Sequence, residues 1–138
     1  MNELLNGQCH CGAVTFTSGA PARTVVSCHC HLCRAMNGSA FSTYVIVDTE
    51  QLVVDMALLN TYAVTDNATR YTCRVCATPL FNRNLKLPGL SMVYLGCVHG
   101  LQKAGLKPQL NVYCDDQLDW VGQLMVDSST QCFAQGVG

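Results

Sequence analysis

Cys28, Cys30 and Cys33 stand within six residues of one another, in the run Ser-Cys-His-Cys-His-Leu-Cys from Ser27 to Cys33. His29 and His31 alternate with them. Three thiols this close cannot pair among themselves without leaving one over. Thiolates at such spacing suit a borderline metal such as zinc. Two smaller clusters flank the triplet, Cys9 with Cys11 before it and Cys73 with Cys76 after it, bringing the clustered cysteines to seven. A structural zinc site is closed by four ligands, whereas a catalytic one commonly takes three and keeps a position open. Seven thiols therefore divide naturally into one closed site and one open site.

Zinc–sulfur bonds of about 2.3 Å in a tetrahedron hold neighbouring sulfurs roughly 3.7 Å apart. Residues i and i+2 on a flat strand point the same way at about 6.6 Å. A Cys-x-Cys pair therefore needs a bend to serve one metal, and Gly12, directly after Cys11, has the backbone freedom for it. Cys73-Arg-Val-Cys76 has the commoner knuckle spacing. Spacing alone leaves two groupings open. Cys30, Cys33, Cys73 and Cys76 would resemble a zinc ribbon with an overlong insert. Alternatively, Cys9, Cys11, Cys73 and Cys76 close one site and leave Cys28, Cys30 and Cys33 as the open one.

The elements that must position these thiols read as strands. Ala40 to Asp48 is rich in β-branched and aromatic residues and gives the strongest strand signal. Shorter strands are expected at Ala13–Thr17, Val25–Val26, Leu52–Asp55, Leu58–Val64, Arg70–Thr72, Leu80–Leu87, Ser91–Leu95 and Leu110–Cys114. Turn signals separate them at Gly19–Pro21, Asn37–Gly38, Asp66–Asn67, Pro88–Gly89 and Gly105–Pro108. Leu32 to Met36 reads as one helical turn that Asn37–Gly38 stops in a left-handed conformation. The pattern predicts an all-β fold. One domain is expected over residues 1–126, followed by a polar, Gly-containing and loosely ordered tail over 127–138.

Only 12% of the 138 residues are charged and the net charge is −1, with no basic run to track a phosphate backbone. Nucleic-acid binding gains no support. The apolar runs are too short to span a membrane, and the opening MNELLNGQCHCG lacks the plan of a signal peptide. Ten cysteines are present, but they are clustered as in metal knuckles rather than spread as in a disulfide scaffold. This implies a reducing compartment, hence cytoplasm. The isolated Cys97, Cys114 and Cys132 read as buried free thiols.

The segments GQCHCGAVTF, CHCHLCRAMNGSAF, LLNTYAVTDNATRYTCRVCATPLF and PQLNVYCDDQLDW together resemble the glutathione-dependent formaldehyde-activating enzyme family, which also includes the centromere protein V type domain. The resemblance implies small zinc-bound antiparallel sheets of the β-tent type. It implies a structural zinc on Cys9, Cys11, Cys73 and Cys76, and a catalytic, more labile zinc on Cys28, Cys30 and Cys33. It also implies carbon–sulfur lyase chemistry on a small-molecule thiol and an aldehyde, as in joining glutathione to formaldehyde. A homodimer is left open. The family commonly carries Gly after the last knuckle cysteine, where this chain has Ala77. A left-handed backbone there costs alanine about 1–2 kcal/mol.

Zinc with three thiolates is a weak Lewis acid, yet it still deprotonates a further thiol. Two rival readings use the same cysteines: a zinc-binding or redox-sensing module without turnover, and a thiol reductase using Cys30 and Cys33 directly. Arg34 follows the triplet and could hold an anionic end of a substrate. His29 and His31 read as supports of the open site or as surface, and His10 as pointing away. His99 is a candidate for the substrate mouth, Trp120 for an apolar plug, and Asp115–Asp116 for a turn.

Overall fold

The computed structural model describes residues 4–100, 105–124 and 131–136. Among them the chain forms β1 (Asn6–Gln8), β2 (Thr15–Ser18), β3 (Thr24–Cys28), α1 (His31–Asn37), β4 (Ser42–Asp48), β5 (Leu52–Val54), β6 (Leu59–Ala63), β7 (Ala68–Cys73), β8 (Pro79–Asn84), β9 (Leu90–Tyr94), β10 (Leu110–Val112), α2 (Asp119–Leu124) and β11 (Gln131–Cys132). The protein is all-β, as the short alternating segments predict. Two compact units divide it, Met1–Arg23 with Val45–Leu106 and Thr24–Tyr44 with Lys107–Gly138.

In the first unit, β1, β2 and β5 form an antiparallel sheet in that order. Strands β6 to β9 form an antiparallel meander. The turn between β6 and β7 falls at Asp66–Asn67, where the Thr65 hydroxyl accepts the Asn67 and Ala68 N–H groups. The turn between β7 and β8 is the Cys73–Cys76 knuckle. Val14, Phe16, Val45, Val47, Leu80 and Phe81 are buried here. Each large apolar side chain so buried contributes about 1.5–3 kcal/mol. The fold of this unit therefore has its own core beside the cysteine cluster.

In the second unit, β10 pairs in parallel with both β3 and β11. The expected antiparallel sheets make up the first unit, and these two pairs are parallel additions. A parallel pair needs a long crossover, and the long stretch of chain between β3 and β10 provides one. Helix α1 follows β3 with Cys30 as its N-cap, the Cys30 side chain accepting the Cys33 N–H. Gly38 ends it in the left-handed conformation with φ 59°, its N–H bonded to the Arg34 carbonyl. The helical turn and its stop thus lie where the sequence places them. Val25, Ser27, His29 and Val121 are fully buried in this unit. Trp120 is 55% exposed on α2 and plugs nothing. A six-residue helix turns its neighbour Val121 inward, and the indole falls on the outer face.

Part of the expected tail, residues 127–130 and 137–138, lies outside the described residues. What is described of it is paired rather than loose. β11 adds to β10, and Phe133 N–H bonds to the Asn111 carbonyl at 2.8 Å. No helix of the described residues is long and apolar enough to cross a membrane.

Candidate metal centres

The first unit brings Cys9, Cys11, Cys73 and Cys76 together, with all four sulfurs within 4.8 Å of one another. Cys9 leaves β1 and enters a tight turn. Its carbonyl accepts the Gly12 N–H, and its N–H bonds to the Val14 carbonyl. Gly12 has φ 79°, the bend that a Cys-x-Cys pair requires. The second knuckle closes with Ala77 N–H on the Cys73 carbonyl and Cys73 N–H on the Thr78 carbonyl. Cys9 and Cys11 sulfurs lie 3.6 Å apart, and Cys11 and Cys73 sulfurs 3.8 Å. Those separations match the edge of a tetrahedral zinc–thiolate site, roughly 3.7 Å.

Backbone N–H groups point at these sulfurs. Val14 donates to Cys9 at 3.3 Å, while Val75 and Cys76 donate to Cys73 at 3.3 and 3.5 Å. The Thr78 hydroxyl accepts the His10 N–H and lies 3.1 Å from Cys76 Sγ, joining the two knuckles. Sequence reasoning missed Thr78, although its place two residues after a knuckle cysteine was a usable signal.

Ala77 has φ 63°. The strain foreseen for a non-glycine residue at this position is present. Ala77→Gly relieves about 1–2 kcal/mol of left-handed strain, less about 0.4–1 kcal/mol for the added freedom of the unfolded chain. The expected result is unchanged metal binding and a melting temperature higher by about 2–5 °C. A lower melting temperature would show that the strain is absorbed elsewhere.

The second unit brings Cys28, Cys30 and Cys33 together by the same criterion. Cys28 ends β3, Cys30 caps α1, and Cys33 sits one turn along the helix. Cys33 and Cys28 sulfurs are 3.5 Å apart. The Cys33 N–H reaches Cys30 Sγ at 3.3 Å, and the Tyr44 phenol lies 3.2 Å from Cys33 Sγ. Tyr44 is buried on β4. The zinc-ribbon grouping of Cys30 and Cys33 with Cys73 and Cys76 is not what forms. Neither cluster includes a histidine among the described residues.

Ionisation within each cluster is uneven. Hydrogen bonds from Cys28 and Cys33 hold the Cys30 thiol down at about 2. The same bonding to Cys30, together with Cys33 and burial, pushes the Cys28 thiol well above its ordinary value. For Cys33, the bond from Cys28 favours the thiolate, but Cys30 and burial outweigh it and raise the thiol to about 11. In the other cluster the Thr78 hydroxyl lowers Cys76 to about 5. For Cys11 the Ala13 N–H favours the thiolate, but partial desolvation and the three neighbouring sulfurs outweigh it and raise the thiol to about 12. A cation joining the sulfurs would favour the thiolate form at each of them. Both donor sets therefore fit a thiophilic divalent metal.

Braces around the triplet come from far along the chain. His29 is fully buried, and its Nε2 pairs with Asn111 Oδ1 at 2.9 Å. Its backbone N–H bonds to the Val112 carbonyl at 3.1 Å. Arg34 Nη1 donates to the carbonyls of His29 and Asp116. Arg34 is thereby a clamp on the start of α1, through a nitrogen that the substrate-holding reading would have left free. His31 and His10 are exposed. His99 is exposed too, with its Nδ1 3.1 Å from Asn6 Oδ1.

Residues 4–116 match the glutathione-dependent formaldehyde-activating enzyme family. The chain belongs to this family. Its name ties it to glutathione and to formaldehyde activation, in keeping with two thiolate clusters able to hold metal ions. The fold is also similar to a Rhodobacter sphaeroides protein solved by crystallography, a structural genomics target. That protein is 21% identical, with a TM-score of 0.60 over 75% of this chain and 97% of the other. No curated protein matches the sequence.

Two of the three isolated cysteines depart from the buried-thiol expectation. Cys114 and Cys132 form a disulfide, with their Cα atoms 6.2 Å apart. Parallel pairing of β10 with β11 carries Cys132 alongside Asn111, close to Cys114. Eighteen residues separate the two in sequence, so spacing gave no hint. Cys97 does remain free, half-buried, its Sγ 3.2 Å from the Pro79 carbonyl. Burial, reinforced by the charges of Cys9 and Cys76, raises it to about 11. Asp115 and Asp116 lie in a short 3₁₀ turn, as their sequence suggests.

Proposed function

We propose that this member of the family is a zinc-dependent carbon–sulfur lyase that adds a small aldehyde to a thiol such as glutathione, or removes it. The observation that carries the reading is the separation of the clustered thiols into a set of four and a set of three. The four, Cys9, Cys11, Cys73 and Cys76, would hold a structural zinc. The three, Cys28, Cys30 and Cys33, would hold a catalytic zinc and leave room for substrate. When bound there, zinc would supply acidity to an incoming thiol and polarise the aldehyde. In the net reaction a carbon–sulfur bond forms, and the thiol proton ends on the former carbonyl oxygen. The reverse direction splits the same bond. A thiol-rich compartment such as cytoplasm suits this chemistry.

The chain's own residues set up the triplet. Cys30 is fixed by its capping bond, and Cys33 by its place on α1. Arg34 and Asn111 hold α1 and His29 in register. The Tyr44 hydroxyl draws charge from Cys33. Tyr44→Phe keeps the ring and removes the hydroxyl that lies 3.2 Å from Cys33 Sγ. It is expected to weaken metal binding at the triplet about tenfold, with little change in melting temperature. Competition with a chromophoric chelator measures this, and an unchanged affinity would remove Tyr44 from the account.

The function is tested by exchange spectroscopy on glutathione and formaldehyde with the zinc-loaded protein. The expected result is faster interconversion of free and adduct signals, lost on Cys30→Ser. Equal exchange rates with and without protein would refute glutathione–formaldehyde activity.

A further inference from the structure

We propose that the Cys114–Cys132 disulfide is a thiol-exchange site, and that opening it loosens the three-cysteine centre. Cys132 is exposed and Cys114 half-buried, so an incoming thiolate meets Cys132 first. Exposed disulfides are the labile ones. The co-reactant is a low-molecular-weight thiol, the class of substrate proposed above. Its thiolate attacks Cys132 Sγ, the protein S–S bond breaks, and Cys114 leaves as a thiolate that takes up a proton. A second thiolate attacks the small molecule's sulfur in the mixed disulfide. Cys132 is released as a thiol, and the small molecule departs as its own disulfide. Two thiols are oxidised and one protein disulfide is reduced.

The disulfide holds a strap. Phe133 N–H bonds to the Asn111 carbonyl, and the N–H groups of Tyr113, Cys114 and Asp115 bond to the carbonyls of Gln135, Phe133 and Ala134. Apart from half-buried Phe133, residues 131–136 are exposed. A two-residue strand with so little apolar burial cannot offset the entropy of ordering it. The cross-link is therefore the main restraint.

What the strap covers is the segment that braces the triplet. Asn111 takes the Phe133 N–H on its backbone and His29 on its side chain. Val112 accepts the His29 N–H, and Asp116 accepts Arg34. Once the strap is released, β10 becomes an edge strand. Cys28 to Asn37 then loses the firm backing of its neighbour. Exchange and loosening stand apart from any metal; their effect on metal retention rests on the proposed function.

The test incubates the full chain with glutathione at rising ratios to glutathione disulfide, then alkylates it and reads intact and peptide masses. The expected result is a reversible gain of two alkylated thiols, at Cys114 and Cys132, with a glutathione adduct at Cys132 between the two states. Hydrogen exchange is then compared for the disulfide and reduced forms. Amides of residues 28–37 and 110–116 are expected to exchange about tenfold faster after reduction, with β7 and β8 unchanged. The double variant C114S/C132S should reproduce the reduced form. If it does not fold, the reduced natural chain gives the same readout. Resistance of the disulfide to glutathione overturns the exchange site, and unchanged exchange over residues 28–37 after full reduction overturns the coupling. A chain that loosens as described but never binds metal at the triplet would end the proposed function and leave this inference standing.

Discussion

Cys73→Ser is expected to leave the chain unfolded or insoluble. Cys73 is 1% exposed and belongs to the cluster that ties the start of the chain to the β7–β8 knuckle. Its partner Cys11 lies 62 residues earlier. Closing such a loop is entropically costly, and a metal held by the four thiolates would supply the compensation. Structural zinc contributes about 10–16 kcal/mol in small zinc-finger peptides, as much as the whole stability of a typical domain, about 5–15 kcal/mol. Losing one ligand of four therefore takes away a large share of that margin. Circular dichroism and solubility of the purified variant measure the outcome. A variant that folds with a melting temperature near that of the natural chain would show that the buried core of the first unit suffices alone.

Cys30→Ser is expected to do the opposite, keeping the fold and abolishing activity. Serine is among the best N-cap residues, so the bond from the Cys33 N–H that starts α1 is retained. What is lost is one thiolate of three. That site spans only six residues, so a metal there would close almost no loop. The variant should melt within about 2–4 °C of the natural chain, hold one zinc, and show no thiol–aldehyde exchange above background. Suppose instead that Cys30→Ser unfolds as completely as Cys73→Ser, while Cys9→Ser folds normally. That result would mean that Cys30, Cys33, Cys73 and Cys76 hold the structural metal together, as in the zinc-ribbon grouping, and that the assignment of the two sites is wrong.

Much of this arrangement was legible because it is local. β4 is a run of β-branched and aromatic residues, and α1 is short and punctuated by Gly38. Knuckle spacing marked the thiols, and the family pattern marked Ala77 as the residue placed where glycine is usual. The illegible parts depend on residues far apart in sequence. His29 alternates with ligands and could have been surface. Its burial is set by Asn111, 82 positions away. Asn6–Gln8 is a strand because it pairs with Thr15–Thr17, not because its residues favour extended structure. Cys132 sits in a polar segment whose only structural signal is the partner it finds across β10. Trp120 is a large apolar side chain that an inside–outside rule sends inward, yet the turn of a short helix leaves it in water.

The central claim is that seven clustered cysteines form one closed site and one open site. Elemental analysis of zinc-saturated protein, before and after graded exposure to a chelator, tests it most directly. Two zinc ions per chain are expected, one removed readily and one only as the fold is lost, because a closed site offers a chelator no vacant position. A chain that never holds more than one zinc, or that loses two together with its fold, would contradict it.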